Sequence, residues 1–304
     1  MLRQRLAAAA LGLPMLFLML WLNWFLRRAG NPDDLPMLVM VLIIAGAAGL
    51  EVSKVVKHRY PGAHPLNGLY AALIIPFLVH AIGLDVTGSP ASLGLFLDSI
   101  GIVAAVMLLG INIYSDIERR KGTGIAENLI VLAAGLYLGA TLSCLLLLCR
   151  TPLHEIAVGF IFVLVFGLDT AAYFGGKRFG GRPLAPRISP KKTMSGSICG
   201  LLATVALAFV FKVMPAGAGM ADAVPAWWNL GAHFPWPALL WMGLSAGILG
   251  QAGDLLESAF KRWGGVKDSG SIIPGHGGFL DRFDSLFLVA PVCYLLFVLF
   301  LKLS

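Results

Sequence analysis

At 304 residues, 58% hydrophobic and 13% charged, with a mean hydropathy of +0.83, the sequence lies far from soluble globular composition, which runs near 25% charged and 45–50% apolar. A soluble enzyme and a disordered tail are both excluded, and a polytopic integral membrane protein is expected. The 23 Lys and Arg against 16 Asp and Glu give a net charge of +7, while four scattered cysteines (Cys144, Cys149, Cys199, Cys293) supply neither a disulfide framework nor a zinc site.

Nine apolar runs follow one another: Leu6–Leu26, Leu35–Val52, Leu66–Leu84, Ser92–Tyr114, Glu127–Cys149, His154–Phe174, Ser197–Val213, Pro237–Phe260 and Ser285–Leu301. Each approaches the ~20 residues that cross about 30 Å of hydrocarbon. In lipid a segment must satisfy its own backbone polar groups, so each run is predicted helical. The expected fold class is an all-α polytopic membrane helix bundle of about nine transmembrane helices. About five belong to residues 1–150. Residues 151–304 hold the rest, with two long polar loops at 175–195 and 261–284. The first run follows Arg3 and Arg5 and continues through Trp21, Trp24 and Phe25 without a small-residue cleavage site. That pattern predicts a retained helix rather than a removed signal peptide.

The basic residues fall on one side of these runs. Lys54, Lys57 and Arg59 follow the second; Arg119, Arg120 and Lys121 follow the fourth. Lys177, Arg178, Arg182, Arg187, Lys191 and Lys192 follow the sixth, and Lys261, Arg262, Lys267 and Arg282 the eighth. The positive-inside rule makes that side cytoplasmic. The expected location is a bacterial-type cytoplasmic (inner) membrane with the polar loops facing the cytoplasm. Arg27 and Arg28 fall on the other side.

Ionisable groups inside spans cost about 2.5–3.5 kcal/mol at the centre and therefore need a reason. Asp98, Asp169, Asp254 and Glu257 are of this kind, with Glu51 and Glu127 near span ends. Asp254, Glu257 and Ser258 share one helix face, and Asp281 and Asp284 repeat the i, i+3 spacing. Such carboxylates suit a hard cation such as Mg²⁺, which takes oxygen ligands and accompanies phosphates. Taken singly, Asp254 reads equally as a partner for Lys261 or Arg262, and Asp284 as a helix cap. Asp98 stands apart from any motif and reads as a structural contact.

The first loop carries Gly175-Gly-Lys177-Arg178-Phe-Gly180-Gly181 and Ile188-Ser189-Pro-Lys191-Lys192-Thr193. Glycines admit an anion to the backbone and the cations neutralise it. The order is not that of a Walker A loop, and a basic loop also serves as topology determinant or anionic-lipid contact. The second loop, Ser258 to Asp284, joins carboxylates, cations and glycines. Within it His276 fits either a phosphate donor or a turn residue.

Ser258 to Asp284 resemble the signature of the phosphatidate cytidylyltransferase (CDP-diacylglycerol synthase) family. That signature runs Ser-x-apolar-Lys-Arg-x4-Lys-Asp-x-small-x2-apolar-Pro-x-His-Gly-Gly-apolar-x-Asp-Arg-x-Asp, with Phe260, Ile273 and Phe279 at apolar positions and Gly270 at the small one. Asp169 to Gly180 and Ile188 to Thr193 are similar to further family segments. Met194-Ser195-Gly196 stand where the family commonly has Trp-Glu-Gly.

The resemblance implies cytidylyl transfer from CTP to phosphatidate, yielding CDP-diacylglycerol and pyrophosphate in phospholipid biosynthesis. It places Asp254, Lys267, Asp268, His276, Asp281 and Arg282 at the reacting centre. It assigns Lys177, Arg178, Ser189, Lys191, Lys192, Thr193, Lys261 and Arg262 to the phosphates of CTP and phosphatidate. Asp169, Asp254, Asp281 and Asp284 are the implied metal ligands. Mg²⁺ is the implied cofactor, with room for a second, monovalent cation. The implied partners are CTP, phosphatidate and membrane lipid, with no nucleic acid; a homodimer stays open.

Two other readings keep some of these features. An ion-coupled transporter shares buried acids and Gly-broken helices, but its midplane acids and inverted repeats find no counterpart in the sequence. A CTP-dependent lipid kinase or an ether-lipid cytidylyltransferase differs only in the lipid acceptor.

Overall fold

A helix keeps its backbone hydrogen bonds within one segment, and most of the described residues adopt that solution. The computed structural model describes residues 18–23, 25, 26, 34–86, 93–120, 125–151, 154–213, 234–270 and 277–303. After a helical stretch at 18–23, the long helices are α1 (Leu35–Arg59), α2 (Asn67–Val86), α3 (Leu93–Arg120), α4 (Ile125–Leu148) and α5 (His154–Phe179). A two-stranded ribbon follows, β1 (Pro183–Ala185) and β2 (Ser189–Thr193), then α6 (Met194–Val213), α7 (Trp236–Trp263) and α8 (Leu280–Leu303).

Among the described residues, six helices are long and apolar enough to cross a membrane: α1, α4, α5, α6, α7 and α8. The apolar stretches described in α2 and α3 are shorter, Asn67–Ile82 and Ile100–Ser115. An all-α membrane bundle therefore stands. The first predicted run lies largely outside the described residues, as does the side chain of Asp98.

Several helices outrun their apolar stretches. The second predicted run ends at Val52 while α1 continues to Arg59; α5 continues past Phe174 to Phe179, and α8 begins at Leu280 rather than Ser285. Hydropathy marks where a lipid solvent would end, not where the hydrogen-bond ladder ends. Lys57, His58 and Arg59 in the last turn of α1, and Lys177 and Arg178 in that of α5, also suit the negative ends of their helix dipoles. The first expected loop thus shrinks to a short ribbon between two helices. Its strands run antiparallel, pairing Pro183 with Thr193 and Ala185 with Ser189.

The chain divides into two compact units: Met1–Leu146 with Phe260–Phe283, and Leu147–Ala259 with Asp284–Ser304. In the first, α1 packs on α2 and α2 on α3, and Val41, Ala45, Ala48, Val52 and Val56 line the buried face of α1. In the second, α5 packs on α6. Its core holds edge-on aromatic pairs, Phe160 with Phe211 at 4.9 Å and Phe234 with Phe297 at 5.0 Å. Lipid tails are as apolar as these rings, so ring geometry, worth about 0.5–1.5 kcal/mol per pair, selects the packing.

Candidate functional site

The second unit gathers carboxylates. Asp254 and Glu257 lie one turn apart on α7 and meet Asp284 of α8, with one oxygen from each within 4.8 Å of the others. Glu257 is 6% exposed and Asp284 8%. The two helices come together here because position 253 lacks a side chain: a Cβ on Gly253 would stand 2.6 Å from the Asp284 carbonyl oxygen. One turn earlier, Ser285 Oγ donates to the Gly250 carbonyl at 2.9 Å. Asp169, exposed on α5, adds its negative charge to the field at Asp284.

The ribbon supplies the facing cation. Lys192 of β2 forms an ion pair with Asp254. Thr193 then caps α6, its Oγ1 accepting from the Gly196 amide at 3.1 Å and lying 3.1 Å from Ser195 Oγ. Ser195 Oγ donates to the Gly180 carbonyl, tying the start of α6 to the end of α5. Met194 and Ser195, which stand in place of the family's Trp-Glu, are thus an exposed apolar residue and a hydrogen-bonded hydroxyl.

Gln251 was not singled out by sequence, although it lies three residues before Asp254 on the same face. Its Nε2 donates to the Ser197 carbonyl at 3.1 Å and the Gly247 carbonyl at 2.9 Å, fastening α7 to α6 beside the acids. Lys177, Arg178 and Lys191 are exposed, and Ser189 is half-buried at the start of β2.

The first unit holds the other cluster. Lys261 Nζ stands 2.5 Å from Asp281 Oδ1, with both side chains largely buried. Asp281 Oδ2 accepts from the Ser269 amide at 3.2 Å, Ser269 Oγ at 2.9 Å and the Gly278 amide at 2.8 Å. Arg262, Lys267, Asp268 and Arg282 are exposed, and Arg262 Nη1 donates to the Val266 carbonyl at 3.3 Å. His276 lies outside the described residues.

Of the four expected metal ligands, Asp254 and Asp284 come together, joined by Glu257. Asp169 acts on them through its charge, and Asp281 engages Lys261 and Ser269. An all-oxygen set of three carboxylates, two of them buried, fits a hard divalent ion such as Mg²⁺. Without a compensating cation, such crowding of like charge is costly.

The sequence model of the cytidylyltransferase family matches residues 3–300. A phosphatidate cytidylyltransferase of Bacillus subtilis is 43% identical over 140 residues, covering 45% of this chain and 46% of its own length. One from Rickettsia bellii is 37% identical over 161 residues, 53% of this chain and 65% of its own length. One from Staphylococcus saprophyticus is 31% identical over 226 residues, 74% and 80% of the two chains. The chain spans between about half and two thirds of the length of the first two relatives. With a match that runs from near one end of the chain to the other, this chain belongs to the cytidylyltransferase family.

Proposed function

We propose that the protein transfers a cytidylyl group from CTP to phosphatidate, giving CDP-diacylglycerol and pyrophosphate. A phosphate oxygen of phosphatidate attacks the α-phosphorus of CTP. The new phosphoanhydride bond forms as the bond from the α-phosphorus to the bridging oxygen breaks, and pyrophosphate carries that electron pair away. The attacking phosphate is already ionised near neutral pH, so little general-base help is required. The task is to hold two polyanions in line and offset their repulsion.

Lysines and arginines of the ribbon and loops answer that task. Lys192 stands beside the acids and Lys191 next to it in sequence, while Lys177, Arg178, Lys267 and Arg282 are exposed for phosphate oxygens. Asp254, Glu257 and Asp284, with Asp169 in support, would hold Mg²⁺, which supplies charge neutralisation on the triphosphate. The same reading has about nine spans, the basic loops and reacting centre at the cytoplasmic face of an inner membrane, and room for a monovalent cation and a homodimer.

The observation that carries the reading is the juxtaposition of three oxygen-donor carboxylates with Lys192 in a chain of this family. The test is conversion of labelled CTP and phosphatidate by purified protein in detergent, with and without Mg²⁺. Formation of CDP-diacylglycerol that chelation abolishes is expected. Absence of any phosphatidate-dependent product from folded protein would overturn the proposal.

A further inference from the structure

Glu51 lies in α1, within the first unit, and its exposure is 0%. A carboxylate so buried must find its partners inside the protein, and these come from far along the chain. Oε1 accepts from the Phe279 amide at 3.0 Å. Oε2 accepts from the Leu280 amide at 2.8 Å and lies 2.9 Å from Ser269 Oγ. Phe279 and Leu280 open α8, where the first amides of a helix lack intrahelical acceptors and where negative charge is favoured. Glu51 therefore caps α8 from another helix.

Asp281 shares the work. Its Oδ2 takes the Gly278 amide and also lies 2.9 Å from Ser269 Oγ, so one hydroxyl bridges the two carboxylates. Two described glycines of the loop lie against Glu51. A Cβ on Gly270 or on Gly278 would overlap its carboxylate, which accounts for glycine at both signature positions. The end of α1 adds two ties: His58 Nδ1 donates to the Gly264 carbonyl at 2.9 Å, and Arg59 Nη1 to the Trp263 carbonyl at 2.7 Å.

We propose that Glu51 is a positioning residue of the reacting centre, fixing through Ser269 and the first amides of α8 where Asp281, and with it Lys261, stands. For its activity readout this rests on the cytidylyl-transfer reading. Glu51 lies outside the signature segments, yet its carboxylate bonds to residues of the signature itself, Ser269, Phe279 and Leu280.

The test uses full-length protein in detergent, comparing wild type with Glu51→Gln, Ser269→Ala and the double variant. Turnover of CTP and phosphatidate is measured together with hydrogen exchange at Phe279 and Leu280. Gln presents an N–H₂ where an acceptor is needed. Faster exchange at both amides is expected, with kcat lowered about tenfold or more and KM for CTP changed less than about threefold. Ser269→Ala should lower kcat in the same sense, and the double variant should be no worse than the poorer single one, because both act along one path.

Losses that multiply in the double variant, or wild-type kcat in Glu51→Gln, would overturn the proposal. Should Glu51→Gln fail to fold, unchanged kcat in Ser269→Ala would overturn it. Inactive wild-type protein would instead overturn the functional reading, with the exchange rates still reporting whether Glu51 holds the start of α8.

Discussion

Lys192 and Asp254 form an ion pair that joins strand β2 to helix α7, so the most basic segment of the second unit reaches its acid cluster directly. Asp254 is also one of three acids whose oxygens crowd together, and Lys192 brings a tethered positive charge to that crowd. On the proposed reading, Lys192→Gln should raise KM for CTP by about tenfold, the worth of one charge-assisted hydrogen bond. Mn²⁺ binding to the variant should be retained or tightened, because a competing cation is gone. A titration followed by electron paramagnetic resonance checks this, and loss of Mn²⁺ binding would show that Lys192 supports the acid cluster rather than competes for it.

The acids themselves give a second prediction. Asp254→Asn, Glu257→Gln and Asp284→Asn should each weaken Mn²⁺ binding by more than the roughly 10–100-fold typical of supporting groups around a metal. Glu257 is the informative member, since the signature pattern begins one residue after it. Wild-type affinity in Glu257→Gln would remove it from the ligand set.

Asp281 has its partners in the first unit, pairing with Lys261 and accepting from the Ser269 and Gly278 amides. Asp281→Asn leaves Lys261 without that charge and replaces a carboxylate oxygen with a donor facing donors. Turnover should fall by about 100-fold or more, while the protein remains inserted and monodisperse in detergent. Near wild-type turnover would remove Asp281 from the reacting centre.

Gly253 offers a test of packing. Its missing side chain lets α7 and α8 meet beside Asp284. Gly253→Ala should destabilise the fold by about 1–3 kcal/mol through overpacking. It should also lower divalent-ion affinity, because the added methyl parts the helices at the acids. Thermal unfolding in detergent and Mn²⁺ titration measure the two effects, and an unchanged midpoint would contradict the close approach.

What could be read from the chain follows from the range of each interaction. Helices α1 to α8 answer to eight of the nine apolar runs, since hydropathy is local. Asp254 and Glu257 were legible as a pair for the same reason: helical spacing put them on one face. That Asp284 joins them depends on α7 meeting α8, an approach for which Gly253 leaves room.

Ser-Pro-Lys-Lys-Thr has turn composition and no apolar alternation, so nothing in the sequence marks Ser189–Thr193 as a strand. Gln251 is uncharged, so its residue type does not set it apart within the helix. Glu51 looked like a residue near a span end, since its partner Ser269 lies 218 positions away. Sequence spacing carries no record of such a contact.

The strand character of Ser189–Thr193 has one more outcome. Successive side chains in a strand leave the backbone in opposite directions, so two neighbouring, chemically identical lysines become different tools. Lys192 turns inward to Asp254 and Lys191 stays exposed. Inserting or deleting a single residue in this short stretch would exchange their assignments while leaving composition and net charge nearly untouched. The spelling of the ribbon, more than its positive charge, decides which ammonium group meets the acids.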